Sequence, residues 1–528
     1  MFGAARNALQ LSRLRIYSTL LPIAAVQRPR NVSTVSFEPT IRQFLVKLAE
    51  QQPCFSLNSS SVSIMHEPRV FYNTLLSMIR NARHRVFLSS LYIGHQDVEL
   101  INAIHTSLRD NPSLHVYLHL DLNRSTRPGS DSTAHALLPL LREHPDRVHV
   151  YLFRSPKLKG VMARIVPPRF NEGWGTWHPK IYGADDTLVI SGANLNTSYF
   201  SNRQDRYLQF TAQPRLADYC FSFLQAASTF SYSLLPSSSS TDGYTLHWSD
   251  TNTHPHRIEA KAQRALLSLQ KAHRDASEVS VMKHSGKDLS GQPDGEDDVL
   301  IFPVIQAGQF SIREEERCLS LLFRELSAQQ QYSGSPASGY EGPVVDLTSG
   351  YFALYEPYQS AVIKSRLACR ILAASPRANG FYKSRGVSGR IPEAYTLFER
   401  RFMNVVRSAG IEWPSNSSEV TPGVQLHEWQ RGGWTYHAKG IWVRPTPSST
   451  PALTLFGSTN LNSRSANLDT ELSFVLATTS PTLRKRLAEE VDGLREHATS
   501  WRGQDSSDDA RRVRLGTRAL VAFVGGML

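Results

Sequence analysis

Two short stretches of this chain place an imidazole and an ammonium two residues apart. The first is Trp177-His178-Pro179-Lys180, with Asp185 five residues after the lysine. The second is Tyr436-His437-Ala438-Lys439. Each leads to an asparagine in similar company, Asn194 in "SGANLN" and Asn460 in "GSTNLN", and eleven residues beyond each asparagine stands a carboxylate, Asp205 or Glu471. Histidines that merely fill a core do not recur with the same partners in the same order. The residue types suit phosphoryl transfer. An imidazole at a strand end can attack phosphorus or shuttle a proton. A lysine two residues along the same strand points to the same side and can neutralise phosphate oxygens as charge develops. The asparagine adds a neutral donor. A carboxylate behind the imidazole fixes its tautomer and favours the imidazolium. One such set makes a phosphate pocket; two facing sets supply a nucleophile and a general acid. Neither copy contains a carboxylate cluster of the kind that holds Mg²⁺, so no metal and no other cofactor is expected.

The elements that must position these groups alternate between strand and helix. The spacing predicts a helix over 70–83, a buried strand over 85–94, a helix over 98–108, a strand over 114–122, a helix over 134–144 and a strand over 147–153. Two polar gaps, 234–243 and 284–298, read as loops. The alternation then restarts with a strand over 299–305, a helix over 312–326, a strand over 343–352, a helix over 357–368, a strand over 370–375 and a helix over 392–408. An amphipathic helix follows over 482–497, with Leu483, Leu487, Val491 and Leu494 on one face. Equivalent parts in equivalent order imply an internal duplication.

The H-x-K-x4-D pattern followed by a G-S-x-N-like element, in two copies, resembles the phospholipase D superfamily over nearly all of residues 60–500. The resemblance implies an α/β fold of two similar phospholipase D-like lobes. Each would be a mixed sheet flanked by helices, packed as a pseudo-twofold duplication with the active site at the junction. It also implies roles. His178 forms the phospho-histidine intermediate and His437 protonates the leaving group. Lys180, Asp185 and Lys439 complete the catalytic set, with Asn194, Asp205, Asn460 and Glu471 in support. The chain departs from the pattern in two places. "SGANLN" is one residue short of the usual spacing, and Arg444 stands where the second copy's aspartate is expected. Within the superfamily, "SLYIG", "LFRSPKLKGVMARIVPPRFNE", "SGANLNTSYFSNRQDRY" and "HAKGIW" resemble the mitochondrial phosphatidylglycerophosphate synthases of eukaryotes. That resemblance implies CDP-diacylglycerol as donor, glycerol 3-phosphate as acceptor, CMP as product, and a step towards phosphatidylglycerol and cardiolipin. The alternatives are a phosphatidylserine synthase, a phospholipase or nuclease of the same superfamily, or a non-catalytic lipid-binding scaffold. Intact His and Lys in both copies argue against the last.

Composition narrows the partners. The 528 residues carry a net charge of +12, which favours an anionic partner. No dense Arg/Lys stripe interleaved with aromatics is present, which argues against nucleic acid and leaves an anionic mitochondrial membrane surface. Four scattered cysteines and no C-x-x-C exclude a disulfide framework and a zinc site. No window is apolar enough to span a membrane. Residues 1–37 lack Asp and Glu and carry five arginines among Ser, Thr and apolar residues, the composition of a mitochondrial transit peptide. The expected organisation is a transit peptide over 1–37, a first lobe over 38–233, a linker with flexible loops over 234–298, a second lobe over 299–505 and a basic-apolar tail over 506–528. The tail could lie on an anionic leaflet. The expected location is the mitochondrion, peripheral on the inner membrane. A phosphorylated acceptor needs fixed cations beyond the two lysines. Arg124 and Arg127, just past a strand end, and Arg377 and Arg385 in the matching second-lobe loop are the candidates.

Overall fold

A computed structural model describes residues 36–129, 131–277, 297–332, 340–414, 419–504 and 508–527. Residues 1–35 of the expected transit peptide and most of the gap at 284–298 lie outside these residues, whereas Phe37, at its expected end, is buried in the core.

Two mixed sheets, of nine and ten strands, carry the chain. In the first, Arg85–Ser89, His115–Asp121 and Val148–Phe153 run parallel. Beyond Arg85–Ser89 the sheet continues antiparallel through Ile181–Ala184, Thr187–Ser191, Tyr207–Phe210 and Val62–Met65. The second sheet repeats this order. Val344–Ser349, Ala368–Ala374 and Gly423–Trp429 are parallel, and Lys439–Arg444, Leu453–Gly457, Glu471–Thr478 and Val299–Ala307 are antiparallel. The duplication expected from the sequence is present in strand order and in strand direction.

The two-residue period of the strands divides the cores. In Arg85–Ser89, Val86 and Leu88 face the helices Pro68–Asn81 and Val98–Asp110, whereas Phe87 faces inward. The inward faces of both sheets share one core, in which Phe87, Leu208 and Phe210 of the first lobe pack with Phe456, Phe474 and Trp442 of the second. The rings of Phe210 and Phe456 stack at 6.1 Å. A buried ion pair crosses the same junction. Arg206 donates from Nε and Nη2 to Glu490, each at 2.8 Å, lies 3.8 Å over the Trp442 ring, and the Trp442 indole donates to Glu490 at 2.9 Å. Removing one partner would leave an uncompensated buried charge, at a cost of about 3–5 kcal/mol.

Three expected boundaries are corrected. The first lobe does not begin at residue 38. Helix Pro39–Ala49 buries Ile41, Phe44, Leu45 and Leu48 in the second lobe's outer core, and Phe55–Leu57 pairs antiparallel with Val299–Ile301. Strand Val299–Ala307 thereby gains a covered edge. The 234–298 linker is largely structured. "LLPSSSSTDG" contains the turn of an edge hairpin, Tyr232–Pro236 with Tyr244–His247, and helix Glu259–Asp275 packs Ala262 and Leu266 into the shared core. The tail docks on the protein itself. Helix Leu515–Val524 lies on Ile391–Ser408, where Glu393 accepts from Thr517 and pairs with Arg514, and Val521 is buried. No helix among the described residues is long and apolar enough to cross a membrane.

Candidate active site

Each histidine sits just ahead of a central antiparallel strand, on a stretch that the opposite lobe holds in place. Thr435–Tyr436 pairs in parallel with Arg203–Gln204, and His437 N donates to Gln204 O at 2.8 Å. In the equivalent place Trp177 bridges Thr470, and His178 N donates to Thr470 O at 3.0 Å. The next residue after each acceptor is the carboxylate. Glu471 therefore meets His178 Nδ1 at 2.9 and 2.8 Å through its two oxygens, and Asp205 meets His437 Nδ1 at 2.6 Å. The reading of one complete set per lobe is corrected here: the lobes exchange carboxylates. With each Nδ1 engaged, each Nε2 is left for chemistry.

Each lysine lies beside its own histidine. Lys439 Nζ stands 3.0 Å from His437 Nδ1 and donates to Gly192 O at 3.5 Å, and Lys180 Nζ donates to His178 O at 2.5 Å. Gly192 is required. A Cβ there would lie 2.6 Å from Asp205 Oδ1 and 2.8 Å from Lys439 Nζ. All six ionisable groups are buried. Burial lowers His178, opposed by Glu471 and Asp469. Burial also puts His437 well below its ordinary value, and Lys439, Arg203 and Lys180 push the same way. Lys180 and Lys439 are lowered by burial, against the pull of Glu471 and Asp205 respectively. Burial pushes Asp205 up to about 6, opposed by Lys439. It also works against the Glu471 anion, but His178, Lys180 and the Ser458 hydroxyl overcome it and hold Glu471 at about 2.

The supporting asparagines divide. Asn194 accepts from Leu91 N at 3.4 Å and donates to Tyr199 Oη at 3.1 Å, whereas the buried Asn460 Oδ1 has no partner among the described residues. Asp185 is not brought to the site. At φ 49° in the hairpin beyond Ala184, it accepts from the backbone N–H groups of Arg83, His84 and Arg85 at 2.7, 2.9 and 3.0 Å. It caps the far end of the sheet and is not part of the catalytic set. Arg444, in its place in the second lobe, pairs with Asp492 at 2.7 Å and Asp346 at 3.4 Å. Three of the four predicted acceptor arginines are engaged in ion pairs. Arg124 and Arg127 both pair with Glu172, Arg377 pairs with Asp508 at 3.0 Å, and Arg385 is exposed on its loop.

Sequence reading missed Tyr199, Tyr351, Arg203, Ser458, Ser465 and Asp469. Tyr199 Oη lies 3.4 Å from His437 Nε2, and the Tyr351 ring meets the same imidazole edge-on at 5.4 Å. Ser458 and Ser465 donate to Glu471 at 2.5 and 2.7 Å. A signal was available. Setting Asn194 against Asn460 also sets Gly192 against Ser458, Tyr199 against Ser465 and Arg203 against Asp469.

Known proteins fit this geometry. No protein-family model matches the chain. It is 34% identical over 479 residues to the CDP-diacylglycerol--glycerol-3-phosphate 3-phosphatidyltransferase of Schizosaccharomyces pombe, covering 84% of this chain and 90% of that one. The chain belongs to the CDP-diacylglycerol--glycerol-3-phosphate 3-phosphatidyltransferase family. Other members of this phosphatidyltransferase family include the mitochondrial enzyme of Gallus gallus, 32% identical over 89% of this chain and 84% of that one, and the Saccharomyces cerevisiae enzyme, 31% identical over 98% and 99%. In fold, the chain is similar to the phosphatidylserine synthase of Haemophilus influenzae Rd KW20, with a TM-score of 0.63 at 19% identity over 93% of this chain and 98% of that one.

Proposed function

We propose that the chain transfers a phosphatidyl group from CDP-diacylglycerol to glycerol 3-phosphate, giving phosphatidylglycerophosphate and CMP through a phosphatidyl-histidine. The observation that carries this reading is the pair of histidine–carboxylate contacts exchanged across two lobes, with two buried lysines between them. His178 Nε2 attacks the phosphatidyl phosphorus as the bond to the CMP oxygen breaks, and His437 gives that oxygen its proton. In the second step His437 takes the proton of the acceptor hydroxyl, whose oxygen attacks phosphorus as the P–N bond breaks. Phosphorylated imidazole is cationic. Glu471, held ionised by two serine hydroxyls, is suited to balance it. Lys180 and Lys439 face the phosphoryl oxygens. The reaction is a committed step towards phosphatidylglycerol and cardiolipin. Incubation of the pure protein with labelled CDP-diacylglycerol and glycerol 3-phosphate, serine or water tests it. Phosphatidylglycerophosphate with equimolar CMP is expected, and phosphatidylserine or phosphatidic acid as main product would overturn it.

The site works on a lipid, and the segment leading to His178 offers a means of reaching one. Val161 and Ile165 are 70% and 63% exposed, Met162 and Phe170 are exposed beside them, and Lys157, Lys159 and Arg164 flank them. Apolar side chains among cations suit an anionic interface. The chain attaches peripherally to the inner mitochondrial membrane through this segment. Replacing Val161 and Ile165 by Ser should reduce sedimentation with cardiolipin-containing vesicles; unchanged sedimentation would remove the segment from this role.

A further inference from the structure

Among the described residues, a partly buried cation beside His437 makes no direct ion pair. Arg203 donates from Nε to Thr435 Oγ1 at 3.0 Å and lies 4.3 Å over the Tyr199 ring, and among the described residues it forms no ion pair. Its second-lobe counterpart is of opposite charge. Asp469 accepts from Thr176 Oγ1 at 2.9 Å, as Arg203 donates to Thr435, but Asp469 is neutralised by Arg464 at 2.9 Å. The two halves thus share a backbone arrangement and differ in that Asp469 is ion-paired whereas Arg203, among the described residues, is not. Space is kept open for it. Gly380 lies on the loop after Ala368–Ala374, where a Cβ would stand 3.1 Å from Arg203 Nη2 and 3.2 Å from Tyr351 Oη. Tyr199 and Tyr351 each touch His437 and each approach Arg203, so the guanidinium stands one ring further out than the imidazole. A charge left unpaired away from bulk water calls for a ligand of opposite sign, and a planar guanidinium suits a phosphate.

We infer that Arg203 with Tyr351 binds the phosphate of the acceptor, holding it so that the acceptor hydroxyl lies at His437 Nε2. This rests on the proposed reaction and adds its acceptor site. The phosphoryl group that His437 protonates must be within hydrogen-bond reach of the imidazole, so a cation set back behind the tyrosines fits the distal phosphomonoester of the acceptor better than the CMP phosphate. Arg203 is a binding residue for the second substrate and takes no proton.

The test compares Arg203→Gln and Arg203→Lys with wild type in the full-length protein. KM for glycerol 3-phosphate should rise about 10–100-fold in Arg203→Gln and less in Arg203→Lys. KM for CDP-diacylglycerol should stay within about twofold, and CMP release to water, which Arg203 also influences through His437, should fall by a smaller factor than the KM for glycerol 3-phosphate rises. Glycerol, which lacks the phosphate, is the second probe. The preference of wild type for glycerol 3-phosphate over glycerol should collapse by the same factor in Arg203→Gln. A glycerol 3-phosphate KM within twofold of wild type would overturn the inference. So would loss of CMP release in both variants, which would mark Arg203 as structural, or a weakened CDP-diacylglycerol KM with acceptor binding intact, which would move the anion to the donor. Wild type that makes no phosphatidylglycerophosphate would instead overturn the reaction itself.

Discussion

Glu471, behind His178, is held as an anion, whereas Asp205, behind His437, is pushed towards its neutral form by burial and cations bear on the imidazole. Glu471 receives two serine hydroxyls and faces His178 with both oxygens, with Asp469 nearby. Asp205 has no serine. Gly192 and Tyr199 occupy the equivalent positions, and Lys439 and Arg203 bear on His437 instead. Under the proposed reaction, one backbone design serves two electrostatic purposes. A nucleophile that becomes a phosphorylated cation benefits from a permanent anion behind it. A general acid and base must change charge twice per turnover, and a carboxyl near neutrality beside it makes that exchange easier. The two halves share the geometry and differ at positions 192, 199 and 203 against 458, 465 and 469, a difference that suits the two roles proposed for the histidines.

The sharpest test of this comparison replaces each histidine. His178→Ala and His437→Ala should each lower transfer from CDP-diacylglycerol by at least about 10⁴-fold. A phosphatidyl ester of p-nitrophenol, whose phenolate leaves without needing a proton, should separate them. His437→Ala should recover phenolate release on this donor and form an acid-labile lipid adduct, and His178→Ala should do neither. Recovery in His178→Ala alone would exchange the two roles.

The carboxylates give the next largest effect. Glu471→Gln keeps the shape and removes the anion, and kcat should fall about 10³–10⁴-fold, as when the carboxylate behind a catalytic histidine is neutralised. Asp205→Asn should cost less, about 10–100-fold, and should change the pH profile. Asp205 titrates at about 6, so the wild-type rate should climb as pH rises through about 6, where the carboxyl ionises. In Asp205→Asn that limb should vanish. Its persistence would assign the limb to another group. If Glu471→Gln proved the milder change, the charge comparison would be reversed.

Legibility followed the range of the interactions. Strands such as His115–Asp121 and Val148–Phe153 were readable because their buried runs lie within one segment. The placement of Pro39–Leu57 on the second lobe was not, because nothing local states which sheet edge is open. Histidines, lysines and carboxylates were found by spacing, but their exchange across the lobes depends on a junction made by Phe87, Phe210, Phe456 and Phe474, far apart in sequence. Asp185 misled because a carboxylate near a histidine in sequence points, along a four-residue strand, to the opposite end of the sheet. Arg203 was hidden because its meaning lies in the contrast with Asp469, visible only once the copies are set side by side.

The smallest expected effect concerns one hydroxyl. Ser458 donates to Glu471 Oε2 at 2.5 Å, and glycine stands in its place in the other half. Ser458→Ala removes one of two neutral donors and leaves His178 and Ser465 in contact, so kcat should fall only about 3–10-fold. Stability reports the same bond. Glu471 titrates at about 2 in the folded protein, below its ordinary 4.5. A depressed carboxyl stabilises the fold above the unfolded value, and that contribution drains away as pH falls from about 4.5 towards about 2. Losing the hydroxyl should raise the folded value, so the variant should be less stable than wild type at pH 7. A hydrogen bond to a charged group contributes about 1.5–3 kcal/mol. The gap should narrow as Glu471 becomes protonated. Thermal unfolding of both proteins at one scan rate from pH 7 to pH 3 measures it. A gap that stays constant would mean that Ser458 acts by filling space, and that the negative half of the site does not depend on its hydroxyl.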